Sequence, residues 1–191
     1  MEGSVDVRGV RRPPILAVGT VVWLASELMF FSGLFAAYFT LRAAADGPWP
    51  PRDVHLEPVV AGVFTLLLVV SSGTMQLAVR SIAAGDRTRF RRWVVWTVVL
   101  AVAFLVNQGR EWAEAGFGPG SHPYGSAFFL MTGFHGLHVA GGVAGMGILL
   151  GRATDPGFGA RHAPSVEVVS YYWHFVDVVW LLMFATLFFV R

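Results

Sequence analysis

The chain contains no cysteine and no lysine among its 191 residues, and only 14% of the residues are charged. Without cysteine, disulfide frameworks, thiolate metal sites and iron–sulfur clusters are excluded. A soluble domain carries about 25% charged residues, so this composition excludes an ordinary globular enzyme domain. The formal net charge is only +2, and the 14 arginines form no continuous stripe, so we expect no nucleic-acid partner.

Long hydrophobic runs make up most of the sequence, which is 55% hydrophobic with a mean hydropathy of +0.60. Each run exceeds the roughly 18–20 residues that a membrane helix needs. A backbone in lipid must satisfy its own hydrogen bonds, so the spans are helical. The sequence therefore predicts an all-α membrane bundle in a single domain, 1–191. The five predicted transmembrane helices cover residues 15–42, 57–83, 92–114, 123–151 and 166–190.

The distribution of arginine predicts the orientation in the membrane. Cytoplasmic loops carry an excess of positive charge, and an odd number of spans puts the two ends on opposite sides. The assignment with more arginines inside has a cytoplasmic N-terminus and an external C-terminus. The inner set is then Arg8, Arg11, Arg12, Arg80, Arg87, Arg89, Arg91, Arg92, Arg152 and Arg161, and the outer set is Arg42, Arg52, Arg110 and Arg191.

Ionisable residues inside the spans are the candidate functional residues, because such groups are costly at membrane depth. They occur singly or as pairs at i, i+3, a spacing that puts two side chains on one helix face. The candidates are Glu27 in the first span, Glu111 with Glu114 in the third, His135 with His138 in the fourth, and His174 with Asp177 in the fifth.

Three interpretations of these residues compete. Carboxylates and paired histidines on facing helices are used by dimetal bundle proteins, but Glu27 and Glu111 are expected at different depths. Glu27 also fits a proton or ion pathway, although a transporter usually shows repeats or broken spans. The third interpretation is an interhelical hydrogen-bond network with Ser26 and a histidine of the fourth helix as partners of Glu27, or polar groups covered by a partner subunit.

Tryptophan is expected mainly at the ends of the spans, where amphipathic rings form interfacial belts. The residues assigned to this belt are Trp49, Trp93, Trp112, Trp173 and Trp180.

Six strings, in order, resemble subunit III of haem–copper cytochrome c oxidases. The segment Trp23–Phe35 resembles a core span of that family, Thr132–Val139 its penultimate helix and Tyr172–Trp180 its last helix. The shorter strings between them are Trp49-Pro50-Pro51, Gln108-x-x-Glu111-x-x-Glu114 and Tyr124-Gly125-Ser126. The match runs from Val18 to the end of the chain and is similar to the short five-helix bacterial form.

The resemblance implies a non-redox subunit in a bacterial plasma membrane. Haem and copper would be held by subunits I and II, and this chain would hold no metal and no catalytic residue. It would stabilise subunit I, hold phospholipid and support proton uptake. Glu27 matches the family's carbodiimide-reactive carboxyl, and Arg152 matches an arginine that contacts a lipid phosphate.

The same strings leave related roles open. A subunit III of a quinol oxidase and an accessory protein of nitric-oxide reductase share them, and a cytochrome bc complex is a further candidate partner in a supercomplex. A dimetal protein or a transporter is a more distant alternative. Seven-helix members have two additional helices, and Arg110 stands where the family often has a small or uncharged residue.

Overall fold

Five long α-helices make up most of the structure. The computed structural model describes residues 15–52 and 54–190. Each helix is long and apolar enough to cross a membrane, and the described residues contain no strand. The all-α class with five spans is therefore confirmed. The helices are α1 (Ile15–Ala43), α2 (Pro58–Ala83), α3 (Arg87–Glu114), α4 (Pro123–Arg152) and α5 (Ala163–Phe189), with a 3-10 turn at Ala160–His162.

Helix α3 begins earlier than the predicted span at residue 92. Asp86 is its N-cap residue, and the carboxylate accepts a hydrogen bond of 2.8 Å from the backbone N–H of Arg89. An aspartate in this position satisfies one of the free amide groups at a helix start. The sequence argument followed only the apolar run, whereas the helix continues through the arginines into the polar interface.

Four helices form a closed ring, and the fifth lies against one side of it. Within the described part of the chain, α2 packs against α3 and α5, and α4 packs against the same two helices. Helix α1 packs against α4 and α5 only, without a close approach to α2 or α3. Only Thr20, Phe31 and Tyr38 of α1 are buried, so most of this helix faces outward.

Two tryptophans assigned to the interfacial belt lie in the core, and that prediction was wrong for them. Trp173 and Trp180 are buried in the middle of α5. Their indole N–H groups donate hydrogen bonds of 2.9 Å to Ser71 and Thr65 of α2. A buried indole needs such an acceptor. Hydroxyl groups on the facing helix supply it, so both indole rings can lie in the core at membrane depth.

The α2–α3 turn and the α4–α5 loop meet at one end of the bundle. An Arg87 guanidinium N–H donates a 2.6 Å hydrogen bond to the carbonyl of Asp155, and the rings of Phe90 and Phe158 lie 5.7 Å apart. We call this the arginine-rich end; it carries Arg80, Arg87, Arg89, Arg91, Arg92, Arg152 and Arg161. Its assignment to the cytoplasmic side stays a prediction, because the length and composition of the helices do not distinguish the two sides of a membrane. Arg8, Arg11, Arg12 and Arg191 lie outside the described residues.

Candidate functional site

Glu27 and His138 form a side-chain pair between α1 and α4. Glu27 Oε2 lies 3.0 Å from His138 Nε2, and Oε1 accepts a 3.1 Å hydrogen bond from Trp23 Nε1–H. The Glu27 side chain is 23% exposed and that of His138 17%. The carboxyl group therefore lies against α4, with both oxygens in hydrogen bonds.

The second ring nitrogen of His138 determines where the Glu27–His138 pair holds its proton. His138 Nδ1 lies 2.7 Å from the carbonyl oxygen of Phe134, and a carbonyl only accepts, so Nδ1 carries a hydrogen. A neutral His138 then has an acceptor at Nε2 and requires a protonated Glu27. A cationic His138 instead donates to the Glu27 carboxylate. Either way, one proton lies between Nε2 and Oε2 and the pair is neutral as a whole.

Helix α5 fixes the position of this pair. The Tyr172 hydroxyl donates a 2.9 Å hydrogen bond to the backbone carbonyl of His138. Its ring stacks on Trp23, with centroids 5.0 Å apart and an interplanar angle of 5°. Ser26, an expected partner of Glu27, instead donates to the carbonyl of Trp23. That expectation was wrong because a membrane serine can bond to its own helix backbone.

The pair His174 and Asp177 meets α2 at a single serine. The Ser72 hydroxyl donates to Asp177 Oδ2 and lies 2.9 Å from His174 Nδ1. His174 Nε2 lies 3.1 Å from the Ser170 hydroxyl. The other oxygen of Asp177 is buried and has no hydrogen-bond partner in the described part of the chain. This cluster joins α2 to α5 and does not contact the Glu27–His138 pair.

His135 occupies a different environment from His138. It is 0% exposed, stacks on Trp180 at 4.9 Å and meets the edge of Phe104 at 5.8 Å. Neither ring nitrogen has a hydrogen-bond partner among the described residues. The i, i+3 spacing rotates the two rings by about 60°, which is enough to direct His135 to the core and His138 to α1.

Glu111 lies at the opposite end from the arginines. Its Oε2 accepts a hydrogen bond of 3.4 Å from Gln108, and it borders a cavity of about 210 Å³ between α2 and α3. The Arg110 guanidinium lies 3.7 Å from Glu57 and 3.6 Å from Glu114. Arg110 therefore partly neutralises a group of exposed carboxylates at this end.

The chemistry of these clusters is that of hydrogen bonding. Among residues 15–52 and 54–190, no three His, Asp or Glu side chains are grouped closely enough to bind a metal ion. The dimetal interpretation therefore has no support from the geometry, because Glu27, Glu111 and Asp177 belong to three separate clusters. The expectation that the chain binds no metal and no haem stays a prediction.

Arg152 is the last residue of α4, and its side chain is exposed. The guanidinium makes no hydrogen bond or ion pair with the described residues. A planar guanidinium at a helix end is well placed for two parallel bonds to a phosphate. Lipid contact at this position is not tested by the geometry and stays a prediction.

Sequence reasoning missed the neutral partners of the ionisable residues. Ser72 bridges His174 and Asp177, and Tyr172 holds the backbone at His138. The one available signal was the i, i+4 spacing of Trp23 and Glu27, which places both on the same helix face. Serine and tyrosine carry no comparable signal, since both are common in membrane helices.

Fold and site together define a class: a polytopic helical membrane protein whose intramembrane polar residues join helices. Comparison with known proteins identifies the family. The family model of cytochrome c oxidase subunit III matches residues 9–191, and the chain belongs to that family. It is therefore a subunit of a membrane oxidoreductase complex, in a family that carries no redox centre of its own.

Bacterial and vertebrate relatives agree with this assignment. A probable cytochrome c oxidase subunit 3 of Mycobacterium leprae is 48% identical over 188 residues, covering 97% of this chain and 93% of the relative. The Corynebacterium diphtheriae subunit 3 is 43% identical with the same coverage. The Oncorhynchus clarkii subunit 3 is 34% identical, covering 95% of this chain and 73% of the longer fish protein.

Proposed function

We propose that the chain is a non-redox clamp on the catalytic subunits of an aerobic terminal oxidase, in a bacterial plasma membrane with its N-terminus in the cytoplasm. It stabilises subunit I, holds phospholipid and supports proton uptake from the inner side. The observation that carries the proposal is the family match over residues 9–191, combined with polar clusters that join helices. A cytochrome bc complex is a further candidate partner in a supercomplex.

The Glu27–His138 pair supports a structural contribution of Glu27. Its proton is shared with a histidine fixed by two backbone contacts, through Phe134 and Tyr172. A group in a proton pathway must exchange its proton with a next carrier. Apart from His138, the described hydrogen bonds of Glu27 lead only to Trp23, which is a donor and not a carrier. The far nitrogen of His138 faces a backbone carbonyl, which accepts no proton, so the pair acts as a link between α1 and α4.

Purification through this chain in mild detergent tests the proposal. Haem spectra, copper content and identification of the accompanying proteins are the measurements. We expect a haem–copper subunit I and a subunit II with binuclear copper, because the relatives are named cytochrome c oxidase subunits. A complex without binuclear copper would select a quinol oxidase or nitric-oxide reductase. Recovery of the chain without any haem protein would overturn the proposal.

A further inference from the structure

A small cavity lies between α2 and α3 at the end opposite to the arginine-rich end. It has a volume of about 210 Å³ and is bordered by the carboxylates of Glu57, Glu111 and Glu114 and by Arg110. The Arg110 guanidinium lies 3.7 Å from Glu57 and 3.6 Å from Glu114. Glu111 accepts a 3.4 Å hydrogen bond from Gln108, which is neutral. Among the described residues, one guanidinium therefore faces three carboxylates, and Glu111 makes no ion pair.

The inner part of this cavity is lined by a buried amide, that of Asn107. This residue is 8% exposed and lies four positions before Glu111, on the same face of α3. Its side chain makes no hydrogen bond with the residues that the structure describes. A buried amide that lacks a partner is costly, and its carbonyl oxygen only accepts. Asn107 and Glu111 together therefore favour an occupant that carries positive charge and donates hydrogen bonds.

The lining of the cavity favours an organic cation over a metal ion. His55, Glu57 and Glu111 all border it, yet within residues 15–52 and 54–190 no three His, Asp or Glu side chains are grouped closely enough to bind a metal ion. A guanidinium or ammonium group needs no such convergence, because its several N–H donors point in different directions. Val60 and Ala61 also line the cavity, and such apolar surface suits the methylene stem of an arginine or lysine.

We propose that this cavity receives an arginine or lysine side chain from an extramembrane segment of a partner subunit. The cationic group pairs with the Glu111 carboxylate and donates to the Asn107 amide oxygen. Glu57 and Glu114 are 72% and 62% exposed and lie at the ends of α2 and α3, so the mouth of the cavity is open to a neighbouring subunit. The proposal rests on membership of a family of complex subunits and not on the lipid or proton-uptake roles proposed above.

Photo-crosslinking of the purified complex tests the proposal. The chain has no cysteine, so Ala115→Cys introduces a single thiol at the cavity and leaves every carboxylate in place. A thiol-directed benzophenone is attached there and activated by light, and mass spectrometry identifies the crosslinked peptides. The complex without the introduced cysteine gives the background. We expect a peptide of a partner subunit in which an arginine or lysine adjoins the crosslinked position.

Two further changes in the Ala115→Cys background test the role of charge. Glu111→Gln keeps the size of the side chain and the bond from Gln108, and it should lower the crosslink yield roughly fivefold because the cation loses its pair. Asp46→Asn is the matched control, since it removes the same charge from an exposed position at the same end, outside the cavity. Its yield should be unchanged.

Three results would overturn the proposal. Equal losses in the Glu111→Gln and Asp46→Asn variants would show a general attraction by surface charge and no site. Crosslinks confined to this chain, or to partner peptides without an arginine or lysine, would show that no cationic side chain enters the cavity. Retention of one Ca²⁺ per wild-type complex, lost in Glu111→Gln, would assign the cavity to a metal ion.

Discussion

At the scale of single residues, Glu27 is defined by the two groups that its oxygens contact. Glu27→Gln keeps the size of the side chain, and the amide can accept from Trp23 Nε1–H while donating to His138 Nε2. We therefore expect an assembled, active and proton-pumping complex that no longer reacts with carbodiimide. The measurements are oxygen consumption, proton release from vesicles and carbodiimide labelling. An assembled complex that cannot pump would place Glu27 in the proton pathway.

The contact between Glu27 and His138 also predicts a measurable coupling between α1 and α4. His138→Leu leaves the carboxyl of Glu27 without its interhelical partner, whereas the double variant with Glu27→Leu removes both polar groups. Interhelical hydrogen bonds in membranes contribute up to about 1.7 kcal/mol. We expect a coupling of about 1 kcal/mol in the free energy of unfolding, above the average of about 0.6 kcal/mol for such bonds, because the pair shares a proton.

Reversible denaturation of the full chain in mixed micelles gives the four free energies of this cycle. A cycle between Glu27→Leu and Ser72→Ala is the control, because Ser72 contacts α5 and not Glu27. A coupling near zero between Glu27 and His138, with normal folding of all variants, would contradict the hydrogen bond between these two side chains.

The sequence identified the ionisable residues of these clusters but not their pairings. A histidine of α4 was expected near Glu27, yet the spacing could not decide between His135 and His138, which are rotated by about 60°. The choice depends on how α1 and α5 lie against α4. Ser72 could not be predicted, because a serine bonded to its own backbone is equally common at membrane depth.

At the scale of helices, Gly142 of α4 lies tightly against Trp173 of α5. A Cβ atom on Gly142 would lie 2.6 Å from Trp173 Cε3, and Trp173 is fixed by its hydrogen bond to Ser71. Gly142→Ala should therefore lower the free energy of unfolding by about 1–3 kcal/mol, the usual cost of overpacking. Thermal unfolding of the full chain, followed by tryptophan fluorescence, measures the change.

Gly147→Ala is the matched control on the same helix. A Cβ atom on Gly147 would meet nothing within 4 Å, and alanine is a better helix former than glycine. The stability of this variant should be unchanged or slightly higher. A similar loss in both variants would show that backbone effects, and not the contact with Trp173, account for the cost.

At the scale of the whole molecule, the number of helices was predictable and their arrangement was not. Each span could be recognised because its apolar run exceeds the membrane thickness. The helices are apolar around most of their circumference, so no hydrophobic face indicates a neighbour. Trp173 and Trp180 illustrate this. They were expected in the interfacial belt, yet they are core residues because Ser71 and Thr65 of α2 face them.

The position of Arg152 predicts how its replacement affects the lipid content and the lifetime of the assembled complex. Its guanidinium is exposed at the end of α4, where a phosphate contact contributes roughly 1 kcal/mol. Arg152→Ala should leave the initial rate of oxygen reduction nearly unchanged, because no electron passes through this chain. It should lower the content of bound phospholipid and reduce the total turnovers before activity decays. Arg161→Ala, at the same end, should change neither quantity.

These measurements separate lipid binding by Arg152 from its other possible roles. Initial rate, total turnovers and phospholipid per complex are determined on the same detergent-purified preparation. An initial rate near zero with intact assembly would contradict a supporting role, because lipid loss acts only during sustained turnover. An unchanged lifetime with unchanged lipid content would show that Arg152 serves only as a positive charge that fixes the orientation of α4 in the membrane.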